Sequence, residues 1–109
     1  MEFSHDRTGE TLVVNASGRV DGSNASDFLD TLQGLFEPGD QKIILDLGGL
    51  EYISSAGLRV LLMAAQNLDK EQKSFSICSL TASVGDVFRI SGFDQIIQVF
   101  PSVESAKQG

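Results

Sequence analysis

Two adjacent serines, Ser54 and Ser55, are the residues of this chain whose type and position most clearly allow a defined chemistry. They follow the hydrophobic strand segment Lys42–Leu47 and a short connection that contains Gly48 and Gly49, and they precede an amphipathic helical segment. The first N–H groups of a helix have no partner within the helix, and its positive dipole end favours negative charge. The pattern therefore predicts a hydroxyl group that can carry a phosphate, with Ser54 as the helix N-cap and Ser55 facing solvent.

The chain lacks the residues that would turn either serine into a catalytic nucleophile. A hydrolase of the Gly-x-Ser-x-Gly type would need glycine where Ile53 stands, and His5 is the only histidine that could serve as a base. No Gly-x-x-x-x-Gly-Lys loop is present, which disfavours a nucleotide hydrolase. Asp46 at a strand end could suggest the phospho-accepting aspartate of a response-regulator receiver. Receivers also carry an acidic pair after their first strand and a lysine near their fifth, and neither Phe3–Arg7 nor Ile96–Pro101 supplies these residues. We therefore expect a protein that is not an enzyme and that acts by binding, with no cofactor and no metal site.

The composition limits the partners and the location that can be expected. The formal net charge is −7, from 15 acidic and 8 basic residues, which disfavours a nucleic-acid partner because phosphate neutralisation needs a basic face. A single cysteine, Cys78, excludes an internal disulfide and a cysteine-based zinc site. Met1–Arg7 lacks the apolar run of a secretion signal, and the apolar segment Leu58–Ala65 is far shorter than the ~20 residues that span a bilayer. We expect one cytoplasmic domain over residues 1–109, without direct membrane insertion.

Hydrophobic periodicity and turn residues divide the chain into strands and helices that mostly alternate. Period-2 alternation or short apolar runs predict strands at 1–5, 11–16, 42–47, 74–78 and 96–100. Apolar residues at helical spacing predict helices at 25–36, from 54 to about 70, and between a cap at Thr81 and Gly92, with a short fourth helix from 102. This order predicts an α/β fold with a mixed, largely parallel sheet of about four to five strands and about four helices, whose first two strands pair antiparallel.

Polar residues at predicted strand ends and helix starts complete the set of candidate site residues. In open α/β sheets functional groups gather where strands end and helices begin, and this edge would hold Asp46, Ser54 and Ser55. Asp46 could hold the N–H groups of the following loop, or it could contact a partner. Asp21 or Ser23 could cap the first long helix, and Asp21 could equally contact a partner. For the two serines, helix capping alone is the competing interpretation.

The segment Asp46–Leu58 carries a pattern, Asp-Leu-x-x-Leu-x-Tyr-Ile-Ser-Ser-Ala-Gly-Leu, that resembles the signature of STAS domains, specifically the bacterial anti-sigma-factor antagonists. Gly18–Asp21 resembles the family's Gly-x-x-Asp at the end of the second strand. Val87–Phe93, followed by Ile96 and Ile97, resembles its closing helix and strand. The resemblance extends over essentially the whole chain and implies the STAS fold.

This resemblance implies a partner-switching protein. In that family the unmodified antagonist binds an anti-sigma factor that is also an ATP-dependent serine/threonine kinase, and this binding releases the sigma factor. Phosphorylation of one serine ends the binding, and a metal-dependent serine phosphatase of the PP2C type reverses it. The accepting serine lies two residues before a glycine, which here is Ser55 before Gly57, with Ser54 as the less favoured acceptor.

The expected docking residues combine those implied by the resemblance with one suggested by helix geometry. Arg59 lies one turn after Ser55, and helical side chains lean toward the N-terminus, so we hypothesise that Arg59 contacts the phosphate. The expected partner-binding residues are Asp21, Ser23, Asp46, Gly48, Gly49, Ser54, Ser55, Gly57 and Arg59. The alternative function is a STAS subunit that is not phosphorylated and serves in the assembly of a lipid-transport ABC system or a signalling complex.

Overall fold

Five strands and four α-helices follow one another in the computed structural model, which describes residues 1–109. The strands are β1 (Glu2–Thr8), β2 (Thr11–Val20), β3 (Lys42–Ile53), β4 (Ser74–Cys78) and β5 (Gln98–Phe100). The helices are α1 (Ala25–Leu35), α2 (Ser55–Lys70), α3 (Ala82–Ser91) and α4 (Val103–Gln108), with a 3₁₀ turn at Phe93–Gln95. None of the helices has the length and apolar character that crossing a membrane requires.

The strands form one sheet in the order β1-β2-β3-β4-β5. The first pair, β1 and β2, is antiparallel, and every other pair is parallel. This confirms the predicted α/β class and the mixed, largely parallel sheet. Because β2, β3 and β4 run in the same direction, their carboxyl ends and the starts of α1, α2 and α3 lie at one edge of the sheet.

The main hydrophobic core lies between the sheet and the helices α1, α2 and α3. Alternate residues of the central strands point into it, among them Leu12 and Val14 from β2 and Ile43 and Leu45 from β3. The other residues of these strands point to the opposite face, where α4 covers a small cluster of Val13, Ile44, Cys78 and Ala106. This second face therefore stays open toward β1 and toward the carboxyl ends of β2 and β3.

Strand β3 continues to Ile53, so the prediction that it ends at Leu47 and leads into a glycine connection was wrong. The extra length comes from parallel pairing with β2, which itself runs beyond its predicted end to Val20. The β2–β3 register shifts twice along this extension, as it does at β-bulges. Gly49 fits this irregular pairing, because a Cβ atom on it would lie only 2.6 Å from the Ser17 Cβ.

The remaining bounds agree with the predictions or differ by a few residues. β1 reaches Thr8 because its pairing with β2 continues up to the turn. β5 begins at Gln98 rather than at residue 96, because the chain forms a 3₁₀ turn after Gly92, whose φ of +79° ends α3. The predicted N-caps of α2 and α3, Ser54 and Thr81, are confirmed by their hydrogen bonds to the first turn.

A partly buried ion pair joins β1 to the loop that follows α1. The Asp40 side chain is 1% exposed, and its carboxylate accepts hydrogen bonds from Arg7 Nε at 2.7 Å and from Arg7 Nη2 at 3.0 Å. The backbone N–H of Glu37 donates to the same carboxylate at 2.9 Å, and Arg7 also donates to the Leu35 carbonyl. The hydrogen bonds from Arg7 hold the pKa of Asp40 below its usual range. The pair links two segments that lie 33 residues apart in the chain.

Candidate functional site at the start of helix α2

Ser54 joins the end of β3 to the start of α2, and hydrogen bonds hold it on both sides. Its backbone N–H donates to the Val20 carbonyl at 2.9 Å, which fastens it to the end of β2. Its Oγ accepts from the backbone N–H of Gly57 at 3.4 Å, as an N-cap side chain does. The hydroxyl of Ser54 is therefore engaged in capping the helix.

Ser55 is the first residue of α2, and its side chain is exposed. Its hydroxyl takes no part in the capping bond, which Ser54 supplies. A phosphate on this hydroxyl would lie at the N-terminal end of a 16-residue helix, whose dipole favours negative charge. The predicted positions of both serines are confirmed, and Ser55 offers the more accessible hydroxyl.

The only histidine of the chain lies away from Ser55. His5 lies in the edge strand β1, where it pairs with Val14, two strands away from the strand that leads into α2. No group of three or more His, Cys, Asp or Glu side chains is arranged to hold a metal ion. A serine hydroxyl without an adjacent base is a weak nucleophile, but it can receive a group that another enzyme transfers to it.

Gly57 lets the first turn of α2 pack tightly on the sheet. The residue is buried, and a Cβ atom on it would lie 2.7 Å from Ile53 Cγ1 and 2.8 Å from Val20 Cγ1. Both neighbours belong to the main core, where close packing leaves little room for them to move. Gly57 thus has a packing role inside the protein, while the partner contact that the resemblance implies remains a prediction.

We expect Gly57→Ala to lower the free energy of unfolding by about 1–3 kcal/mol, because the added methyl group overpacks against Val20 and Ile53. The better helix propensity of alanine would offset at most about 1 kcal/mol of this. Gly85→Ala in α3 is the matched control, since its Cβ would meet only the Leu80 Cβ at 3.9 Å, an ordinary contact. Urea unfolding followed by circular dichroism measures both variants. Equal stability of the two would contradict the packing role.

The loop between β2 and α1 is ordered by its own side chains. The Asp21 carboxylate accepts from the Ser23 hydroxyl at 2.6 Å and from the Ser23 N–H at 2.9 Å, and these bonds hold the pKa of Asp21 below its usual range. Asn24 Oδ1 accepts from the Asp21 N–H at 2.9 Å. The prediction that Asp21 or Ser23 caps α1 was wrong: Asn24 is the N-cap residue, and the Asp21 side chain turns back onto its own loop.

Asp46 lies on the open face of the sheet, beside Cys78 at the end of β4 but well before the end of β3. Its Oδ1 accepts from the Gly48 N–H at 2.8 Å, which confirms that it holds the N–H group of a following residue. Because β3 continues to Ile53, up to roughly 20 Å of strand separates Asp46 from the start of α2. The prediction that Asp46 shares one edge with the two serines was therefore wrong. Gly48 and Gly49 are exposed on the strand beside it.

Two of the four arginines lie near the start of α2 without an ionic partner. Arg7 and Arg89 pair with carboxylates of this chain, whereas neither Arg19 nor Arg59 forms a salt bridge. Arg59 is exposed and follows Ser55 by four residues in α2, so the predicted spacing of one turn is confirmed. Its contact with a phosphate remains a prediction.

One pair of surface side chains at this end of the sheet was not predicted from the sequence. The Arg19 guanidinium lies over the Tyr52 ring, 4.6 Å from the ring centroid, and the two residues are neighbours in the pairing of β2 with β3. Tyr52 belongs to the signature segment, which marked it as a residue of interest. Its neighbour could not be inferred, because the pairing register after the two bulges is not visible in the sequence.

Known proteins match this chain over nearly its whole length. A family model described as "Mlab, STAS domain" matches residues 3–99. A protein of Bordetella bronchiseptica described as an anti-sigma factor antagonist, BtrV, is 39% identical over 106 residues, which cover 97% of this chain and 91% of the relative.

Solved structures share the fold at lower sequence identity. An anti-sigma factor antagonist from Mycobacterium paratuberculosis has a TM-score of 0.87 at 20% identity, covering 98% of this chain and 91% of that chain. SpoIIAA in its unphosphorylated form has a TM-score of 0.77 at 19% identity, covering 98% and 95%. Its phosphorylated form, from Bacillus, has a TM-score of 0.71 at 18% identity, covering 98% of both chains. Because the family match spans most of the chain and a relative at 39% identity covers nearly all of it, this chain belongs to the STAS domain family.

Proposed function

We propose that this protein is an anti-sigma-factor antagonist whose binding to its partner is switched by phosphorylation of Ser55. The observation that carries the proposal is an exposed hydroxyl at the first residue of α2, next to a serine whose own hydroxyl caps the helix. Relatives described as anti-sigma factor antagonists support the general role. The proposed partners are an anti-sigma factor that is a serine/threonine kinase and a PP2C-type phosphatase that removes the phosphate.

Phosphorylation would change the surface and leave the fold intact. A phosphoserine carries about −1.5 to −2 charges at pH 7. At the start of a helix this charge is favoured, so α2 is not destabilised. At the centre of a contact surface the same charge must be desolvated, and an unpaired buried charge costs several kcal/mol. Since about 1.4 kcal/mol corresponds to a tenfold change in affinity, the modification can end binding without unfolding the domain.

The proposed docking surface consists of the exposed start of α2 and the adjacent loop after β2, represented by Ser55, Arg59, Asp21 and Ser23. The start of α2 is hydrogen-bonded to the end of β2, from which the loop follows directly, so both parts lie at the same edge of the sheet. Arg59 lies one turn farther along α2, and because helical side chains lean toward the N-terminus we propose that it reaches back toward a phosphate on Ser55. The strand segment around Asp46 lies farther along the open face and would contribute only to a larger interface.

Intact-mass measurement after incubation with ATP and each purified anti-sigma kinase of the source organism tests the proposal. We expect one phosphoryl group on the wild type and on Ser54→Ala, none on Ser55→Ala, and its removal by a PP2C-type phosphatase. Ser54→Ala is the matched control, since it removes the adjacent hydroxyl at a cost of about 1 kcal/mol for the lost cap. A phosphoryl group that persists in Ser55→Ala would reject Ser55 as the acceptor. No increment with any kinase would favour the unphosphorylated assembly subunit.

A further inference from the structure

We infer that Arg19 and Tyr52 form an affinity anchor for the partner, and that the Arg19 guanidinium receives a carboxylate of the anti-sigma kinase. An anchor is a side chain whose loss removes a large share of the binding energy. The inference rests on the proposed antagonist function and adds to it the chemistry of the contact. Three features of the pair support it: the contact between the two side chains, their exposure and the charge of Arg19.

The two side chains are held together in the free protein. Arg19 on β2 and Tyr52 on β3 are direct neighbours in the parallel pairing, with the guanidinium 4.6 Å from the ring centroid. The backbone beneath them is fixed, because the Arg19 carbonyl accepts from Asn24 Nδ2 at 2.8 Å and the Val20 carbonyl accepts from the Ser54 N–H at 2.9 Å. A partner would meet a preformed pair and would lose little side-chain freedom in binding it.

The pair is exposed and has no salt-bridge partner within the chain, although the Ser23 hydrogen bonds and, more weakly, the charge of Arg19 lower the pKa of the nearby Asp21. Tyr52 is 42% exposed, and Arg19 is exposed and forms no salt bridge, although the net charge of the protein is −7. The Asp21 carboxylate, two residues from Arg19, accepts from Ser23 instead. A guanidinium that stacks on an aromatic ring keeps its N–H donors at its edge, where they match the two oxygens of a carboxylate.

Residue type and position both fit an anchor. Tyrosine and arginine are enriched among the residues that dominate binding energies, and these residues tend to lie near the centre of an interface. Arg19 precedes the Asp21 loop by two residues, and Tyr52 precedes Ser54 by two, so the pair borders both parts of the docking surface, on the open face of the sheet. A partner that covers Ser55 and the loop and extends onto this face would contact the pair.

The affinity of the unphosphorylated protein for its anti-sigma kinase, measured by isothermal titration calorimetry, tests the inference. We expect Tyr52→Ala and Arg19→Ala each to weaken binding by about 30-fold, the loss typical of an anchor residue. Tyr52→Phe keeps the ring and should bind like the wild type, whereas Arg19→Lys keeps the charge without the planar group and should be intermediate. Arg89→Ala is the matched control, because it removes an exposed arginine that is already paired with Asp86 in α3.

Two further readouts separate an anchor from a structural contact. The double variant should lose little more affinity than either single alanine variant, because each substitution already breaks the pair. Thermal unfolding should show all variants folded at the temperature of the titration. Binding within about twofold of the wild type for both alanine variants, or an equal loss of affinity in Arg89→Ala, would overturn this inference and leave the proposed function standing. A wild type that binds no anti-sigma kinase would overturn the proposed function, and this inference with it.

Discussion

Ser55→Asp is expected to bind the anti-sigma kinase at least about tenfold more weakly than the wild type, a loss of about 1.4 kcal/mol or more, whereas Ser55→Ala keeps the wild-type affinity. Aspartate places one negative charge at the proposed docking surface, and that charge must be desolvated when the partner covers it. Alanine removes a hydroxyl that does not cap the helix, so the surface stays neutral and α2 keeps its start. Titration of each variant with the purified kinase measures the difference.

The stability of Ser55→Asp should change in the direction opposite to its affinity. The first turn of α2 contains no acidic residue, and one added there interacts favourably with the helix dipole by about 0.3–1 kcal/mol. Unfolding therefore cannot explain the weaker binding. Ser83→Asp is the matched control, because it adds the same charge to the first turn of α3, which also lacks an acidic residue. Equal affinities of the Ser55 variants, or an equal loss in Ser83→Asp, would contradict the electrostatic switch.

Arg7→Met should lower the free energy of unfolding at pH 7 by about 3 kcal/mol, the lower end of the loss for a buried pair because the Arg7 side chain is 26% exposed, and still a large part of the 5–15 kcal/mol typical of a domain. Methionine keeps apolar volume but leaves the Asp40 carboxylate, which is 1% exposed, without its hydrogen-bonded cation, so that Lys73 acts on it only at longer range. Only the Glu37 N–H would remain as a donor to it. Arg89→Met is the matched control: Arg89 and Asp86 are 66% and 54% exposed, and loss of such a pair costs at most about 0.5 kcal/mol. Urea unfolding gives both values.

The same ion pair sets an expected dependence of stability on pH. In the folded protein the hydrogen bonds from Arg7 hold the pKa of Asp40 below the ~3.9 of an unfolded aspartate. A carboxyl group with a lowered pKa stabilises the fold fully above its unfolded pKa, and this contribution is lost as the pH falls through the folded pKa. The difference in stability between wild type and Arg7→Met should be largest near pH 7 and shrink below about pH 4. A difference in stability that stays constant between pH 7 and pH 4 would show that the Arg7–Asp40 pair is not the source of a pH dependence.

The sequence predicted those parts of the site that depend on a single element. Capping is decided within one helical turn, so Ser54 and Thr81 could be placed as N-caps and Gly92 as the end of α3. The exposure of Ser55 followed from the apolar stripe of α2, to which Ser55 does not belong. The bounds of β4 were also local, since its alternating pattern is flanked by clear breaks.

The features that were missed depend on contacts between segments distant in the chain. The extension of β3 requires a long β2 beside it, and the position of Asp46 follows from that extension. The two residues of the Arg7–Asp40 pair lie 33 positions apart, and the contact between Arg19 and Tyr52 exists only in the register that follows two bulges. No local sequence pattern predicts such pairings, because each is fixed by the packing of the whole sheet.

The two outer strands of the sheet have a consequence for how another protein can attach. β1 carries Glu2, His5, Asp6 and Arg7 along its length, and β5 is only 3 residues long. Charged or very short outer strands resist the addition of a further strand from a second molecule. Neither end of the sheet therefore favours growth into intermolecular ribbons. The proposed reversible docking then relies on loops and side chains rather than on the addition of a strand.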